Sequence, residues 1–269
     1  MATVNPVLRE KAVRSALNYA GQVDWSISLP EFATRIHEIV KEDTENSDPY
    51  AEEKRTENQI GRELCGHLKE MVDVSSDSLL QSAKVAISGN VIDLAPGYRR
   101  DLKQVIHECL DKPLDVDDFA LLRMELEKTD RLLYLADNAG EVFFDRVFIE
   151  ELVTRDISVT YVVKGGSILN DATAEDAYAA GIQDFATIIS NGVAAVGTQL
   201  GLCSQEFRSI FHESPLIISK GQANYESLDA EKEKLIFFML RAKCPVIAES
   251  LGVPVGATVL RSSQKIRQS

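Results

Sequence analysis

Several residue types that mark specialised proteins are scarce in this chain. The four cysteines, Cys65, Cys109, Cys203 and Cys244, are widely spaced with no Cys-x-x-Cys. That excludes a disulfide framework or a zinc ribbon, and they read as reduced core thiols. No apolar run approaches the roughly 20 residues that a membrane-spanning helix needs. The opening Met1-Ala2-Thr3-Val4-Asn5-Pro6 lacks the basic-then-apolar order of a secretory signal, so a cytoplasmic location is expected. Positive charge is also short. Lys and Arg number 29 against 42 Asp and Glu, a net charge of −13, which argues against a general nucleic-acid binder. The same deficit means that a phosphate site here needs a metal ion or local cations to offset the protein's field. There is no Gly-x-Gly-x-x-Gly after the first strand of the α/β part and no P-loop pattern anywhere, so neither nucleotide-binding fingerprint is present. Internal repeats and low-complexity segments are absent as well.

What remains is ordinary globular material: 269 residues, 45% apolar and 26% charged, enough for one large domain or two small ones. Apolar spacing predicts helices over 5–21, from Ser28-Leu29-Pro30-Glu31 through Val40, and over 58–72 and 76–88. Glu42 to Asn58 reads as a turn and a solvated helix start. Ser88-Gly89-Asn90-Val91-Ile92-Asp93 breaks the pattern as a turn and a short extended piece. Two more helices follow over 99–111 and 115–128. From Arg131 the pattern changes to strands at 131–136, 157–163, 186–189, 215–219, 235–240 and 257–260, alternating with helices at 140–154, 174–180, 203–211 and 245–251. The expectation is an α/β fold: a mostly parallel sheet flanked by helices, Rossmann-like and three-layered, over 89–269, behind a helical N-terminal subdomain over 1–88.

The most informative stretch is Leu132-Leu133-Tyr134-Leu135-Ala136-Asp137-Asn138-Ala139-Gly140-Glu141. A buried-strand run ends on a carboxylate and an amide, and a helix begins just after. Open α/β sheets bind ligands at that end of the strand. Asn138 with Glu141 three residues on also matches a capping box, so a capping role and a functional role both stand for Asn138. Asp137 is not needed for the cap. Later strand ends share the rim. Lys164-Gly165-Gly166 leads to Asn170 and Asp171, with Thr173 and Asp176 free to cap the next helix. Ser190-Asn191-Gly192 follows the third strand, and Lys220-Gly221-Gln222-Ala223-Asn224-Tyr225 the fourth. Carboxylate and amide oxygens without His or Cys suit a hard ion such as Mg²⁺ or Mn²⁺, and a lysine beside glycine-rich backbone suits a phosphate. The set is coherent with metal-assisted phosphoryl chemistry. A second grouping, Cys65-Gly66-His67 with His107-Glu108-Cys109, has the elements of a zinc set. Its spacing of two on helices argues against it, because residues two apart do not face each other. His37, within a helix, reads as a surface or core residue.

With these segments in view, the chain resembles the metal-dependent damage-control phosphatases, long catalogued as a domain of unknown function and including the phosphatase domain of some pantothenate kinases. The matching segments are Ala136-Asp137-Asn138-Ala139-Gly140-Glu141, Leu169-Asn170-Asp171-Ala172-Thr173 with Asp176, and Ser219-Lys220-Gly221-Gln222-Ala223-Asn224-Tyr225-Glu226, in the expected order. Ser88 to Asp93 is similar to the family's segment between its helical and α/β parts. The resemblance implies a phosphatase with one divalent ion, Mg²⁺, Mn²⁺, Co²⁺ or Ni²⁺, held by Asp137, Asn138 and Asp171. It also implies Lys220 on the substrate phosphate, and Asn170, Gly221 and Asn224 as substrate-pocket positions. Asp137 and Lys220 would be the catalytic residues. The implied substrates are small phosphometabolites, sugar phosphates or phosphopantetheine-like compounds, attacked by a metal-activated water. A nucleophilic Asp137 is the alternative. Two other classes remain open: an S-adenosylmethionine-dependent methyltransferase, which the missing Gly-rich loop disfavours, and a non-catalytic phosphometabolite-binding protein, which the intact Asp137, Asp171 and Lys220 disfavour.

Overall fold

Alternation along the strands decides the architecture. Leu132, Tyr134, Val159, Tyr161, Val163, Ile218, Phe237 and Met239 belong to one buried cluster, while Leu133, Leu135, Val162, Ile217, Ile236, Phe238 and Leu240 belong to another. A sheet whose two faces are both apolar must be covered on both sides. The structure, a computed structural model describing residues 2–90 and 102–264, shows the three layers that result. The helical part comprises α1 (Pro6–Gln22), α2 (Leu29–Thr44), α3 (Ala51–Asp73), α4 (Ser78–Ser88) and α5 (Leu102–Asp111). Then come β1 (Val116–Asp117), α6 (Phe119–Leu126), β2 (Arg131–Leu135), α7 (Val142–Val153), β3 (Ser158–Val163), α8 (Ala174–Ala180), β4 (Ala186–Ser190) and α9 (Gln205–Glu213). The chain continues through β5 (Ile217–Lys220), α10 (Gln222–Leu228), β6 (Ile236–Arg241), α11 (Pro245–Leu251) and β7 (Thr258–Ser262).

The sheet order is β1-β7-β6-β5-β2-β3-β4. The run from β6 to β4 is parallel, while β7 pairs antiparallel with β6 and carries β1 at the edge. The expected mostly parallel α/β sheet is therefore present. From β2 the chain moves outward to β3 and β4, and from β5 it moves the other way to β6. Their adjacent carboxyl ends form the switch point where such sheets open a crevice. Helices α3, α4, α6 and α7 cover one face; α9, α10 and α11 cover the other. Helix α7 is apolar nearly all round, with Val142, Phe143, Phe144, Val147, Phe148, Ile149 and Leu152 all buried, as a helix between the sheet and an outer layer must be.

Some elements differ from the sequence reading, each for a local reason. Helix α3 starts at Ala51, its first turn carrying Glu52 and Glu53, which favour the positive end of a helix dipole. Helix α10 stands where a loop was expected, and the strand β1, only two residues long, falls inside an expected helix. Gly89 and Asn90 continue α4 as a 3-10 turn, and the extended piece expected after them lies outside the described residues. The core runs from Leu64, Leu68, Val72 and Leu79 of the helical part into the sheet without a break.

Candidate active site

Backbone pairing between two loops assembles the rim. After β2, Asn138 bridges Asp171; Ala139 N–H donates to the Asn170 carbonyl at 2.9 Å, and Ala172 N–H donates to the Asp137 carbonyl at 2.8 Å. Asp137, Asn138 and Asp171, far apart in sequence, are thereby brought to one place, all three largely buried. The adjoining loop is set by β5. Gly221 has φ +83°, and a Cβ there would lie 2.0 Å from the Asp137 carboxylate carbon. Only glycine admits both that backbone and that approach.

Asn138 does not cap α7. The helix N-cap is Glu141, with no side-chain cap, and the Asn138 amide donates instead to the Glu141 carboxylate at 3.2 Å. The box expected at Thr173 and Asp176 does form. Glu141 also receives Asn90 and Lys220, the latter at 3.2 Å. Burial, reinforced by the charge of Asp137 and opposed by Lys220, pushes the Glu141 carboxyl up to about 8. Burial likewise raises the Asp171 carboxyl to about 6, with Lys164, 3.3 Å away, pulling down and Asp137 pushing up.

Lys220 does not line the cavity that opens over this rim. Side chains two apart on a strand share a face. Lys220 therefore follows Ile218 toward α7, where its ammonium meets Asp145 at 2.6 Å and Glu141 at 3.2 Å and is fully buried. Burial works against that ammonium, but Asp145 and Glu141 outweigh it and its pKa is raised. Asp145 also accepts the Tyr134 and Tyr161 hydroxyls, each at 2.8 Å. Asn224 is similarly committed: its amide donates to the carbonyls of Ala136 and Lys220, and its oxygen accepts from Thr198. Asn170 faces the cavity with its amide on Glu57 of α3.

A cavity of about 270 Å³ opens over the rim, lined by Asp137, Asn138, Asn170, Asp171, Gln222, Glu226 and Lys243, with Leu29, Pro30 and Ala33 of α2 on its outer wall. Helix α2 is tied down by Thr34, which accepts the Val196 N–H at 2.9 Å, and by His37, which accepts the Leu169 N–H at 3.3 Å. His37 is thus neither a surface nor a simple core residue. Lys243 is the cation that the sequence reading missed. It follows β6, whose end lies on the same rim, and it is exposed. A larger cavity, about 780 Å³, lies at the opposite ends of the strands between Leu79, Arg131 and Pro215, remote from this constellation.

The donor set fits a hard divalent ion. Two carboxylates and an amide oxygen are candidate oxygen ligands, and the charge of Asp137 adds to the burial that raises the Asp171 carboxyl. Among the described residues no three His, Cys, Asp or Glu side chains form a ready-made metal shell.

The chain is similar to several known proteins. A damage-control phosphatase of Pyrococcus horikoshii is 37% identical over 216 residues, covering 80% of this chain and 74% of its own. One of Archaeoglobus fulgidus is 36% identical over 234 residues, covering 85% of this chain and 81% of its own. The crystal structure of a DUF89 family protein from Pyrococcus horikoshii superposes with a TM-score of 0.87 at 33% identity, covering 98% of this chain and 92% of that one. The family model described as the damage-control phosphatase ARMT1-like domain matches residues 1–259, and the chain belongs to that family.

Proposed function

We infer that this protein is a divalent-metal-dependent phosphatase acting on small phosphorylated metabolites, with sugar phosphates and phosphopantetheine-like compounds as the first candidates. The observation that carries the reading is the convergence of Asp137, Asn138 and Asp171 with exposed Lys243 on one small cavity at the β2/β5 switch point. In an acidic protein, that is where a phosphate finds compensating positive charge.

Asp137, Asn138 and Asp171 would hold the ion. When bound, it would supply Lewis-acid polarisation of a phosphoryl oxygen and a lowered pKa for water. The remaining roles belong to the chain. Lys243 engages the phosphate oxygens from the cavity wall. Lys220 neutralises Glu141 and Asp145 behind Asp137 and so positions the α7 end of the site. Gly221 backs the Asp137 carboxylate and fixes its direction. Leu29, Pro30, Ala33 and Val196 exclude water from one side of the substrate. Water attack on phosphorus is our reading; a single displacement of that kind inverts configuration at a chiral, isotopically labelled phosphoryl group, whereas attack by Asp137 followed by hydrolysis of the acyl phosphate would retain it.

The test is add-back of Mg²⁺, Mn²⁺, Co²⁺ or Ni²⁺ to chelator-stripped protein, with p-nitrophenyl phosphate and a panel of sugar and pantetheine phosphates, beside Asp137→Ala. Metal-restored turnover absent from the variant supports the proposal. Folded protein inactive with every metal refutes it, and thermal-shift binding of S-adenosylmethionine or of phosphometabolites then separates the two other classes.

A further inference from the structure

Only four histidines occur in 269 residues, yet two of them meet at the surface. His67 on α3 and His107 on α5 bring their Nε2 atoms to 3.2 Å, with ring centres 5.2 Å apart. His67 is half-buried and His107 exposed, so both are open to solvent ions. In direct contact the two neutral rings must divide roles, one Nε2 carrying a proton and the other a lone pair. A shared cation removes that asymmetry by using both lone pairs. Zinc–nitrogen bonds of about 2.0–2.1 Å at a tetrahedral angle place two ligand nitrogens about 3.3 Å apart and their ring centres about 5.2 Å apart. The observed separations match both. The Glu70 carboxylate lies 3.9 Å from His67 Nδ1, within reach of that nitrogen should Nε2 take a metal.

We propose that His67 and His107 form a two-histidine site for a borderline transition ion, Zn²⁺, Cu²⁺, Ni²⁺ or Co²⁺, that clips α5 to α3. Imidazole nitrogen selects these ions over Mg²⁺. The site is distinct from the rim: Glu57, which reaches the rim through Asn170, lies ten residues from His67 on α3, a rise of about 15 Å. It is not the four-ligand zinc set that the sequence evokes. Cys65 turns inward, its thiol 3.6 Å from the Phe143 carbonyl, and the remaining coordination positions go to water. The ion adds to the hold of α5, which is otherwise seated by Ile106 and Leu110.

The experiment is calorimetric titration of Zn²⁺ into the chelator-stripped full chain, with His67→Gln, His107→Gln and Asp137→Ala alongside. The expected result is one equivalent fewer bound by each histidine variant than by the wild type. The histidine-dependent equivalent should persist in Asp137→Ala. Diethyl pyrocarbonate labelling of the wild type adds a test that needs no variant: saturating Zn²⁺ should protect His67 and His107. Equal stoichiometry and affinity in the wild type and both histidine variants would overturn the site, as would undiminished labelling of both rings under Zn²⁺.

Discussion

Gly221→Ala tests the geometry of the site through a single methyl group. With φ +83° and ψ 162°, this position lies in a region essentially open to glycine alone, and another residue there costs about 1–3 kcal/mol. The new Cβ would also stand 2.0 Å from the Asp137 carboxylate carbon, so that carboxylate or the β5–α10 turn must move. Overpacking of this kind costs about 1–3 kcal/mol. The expected destabilisation is therefore about 2–6 kcal/mol, read as a shift in the urea midpoint. Displacing a positioning group by about 1 Å costs on the order of 100-fold in rate. Gly252→Ala is the control for a positive φ without the clash: its backbone is left-handed helical, with φ +70° and ψ 31°, and a Cβ there meets nothing within 4 Å. It should lose only the backbone cost, about 1–2 kcal/mol, and keep full activity. If Gly221→Ala behaved like Gly252→Ala in both assays, Asp137 would not be held where its role requires.

Three further expectations follow from the same contacts. Asp145→Asn removes the charge that faces Lys220 and weakens the acceptor of two tyrosine hydroxyls; because Glu141 still pairs the ammonium, the urea-derived loss should fall near the low end of the 3–5 kcal/mol typical of a broken buried pair, about 3 kcal/mol. Lys243→Ala should raise KM for phosphomonoesters, and the inhibition constant of inorganic phosphate, by about 10–100-fold, the equivalent of one charge-assisted hydrogen bond; an unchanged phosphate inhibition would remove Lys243 from the site. Burial, with Lys41 nearby, lowers the pKa of His37 below its ordinary value of 6.5. The unfolded chain therefore takes up a proton near 6.5 that the folded chain resists. The His37 contribution to stability is intact above that pH and falls as pH drops through it, until the folded pKa is passed. The stability difference between wild type and His37→Gln, followed against pH, should show this slope between 7.5 and 5; a flat difference would contradict it.

Much of this site is written locally. Asp137 and Asn138 end an unmistakable buried strand, Asp171 follows a second one, and the rule that strand ends share a rim joins them. The same rules held more than was taken from them. Strand parity puts Lys220 on the side of Ile218, hence toward α7 and away from the cavity. The end of β6 supplies Lys243 by the rim argument already used for the other strands. Asp145 had a weaker signal of its own: it falls among the apolar residues Phe144, Phe148 and Ile149 of α7, and a charge buried there must be paired. Other features have no local signature. His37 and Leu169 are 132 positions apart, and Thr34 and Val196 162 apart, so the seating of α2 over the rim depends on tertiary placement alone. The meeting of His67 with His107 is of the same kind. Spacing along either helix argues against a metal set there, and only the packing of α5 on its neighbours brings the two rings together.

In the proposed function, Asp137, Asn138 and Asp171 hold the ion on which phosphate-ester hydrolysis depends. This assignment is tested most directly by titrating Mn²⁺ into chelator-stripped protein carrying His67→Gln, while following bound metal and p-nitrophenyl phosphate turnover in the same samples. Turnover should rise in proportion to occupancy and level off at one ion per chain, and adding Asp137→Ala or Asp171→Ala should abolish both binding and turnover. Full turnover without metal, or one tightly bound ion that survives both substitutions, would contradict it.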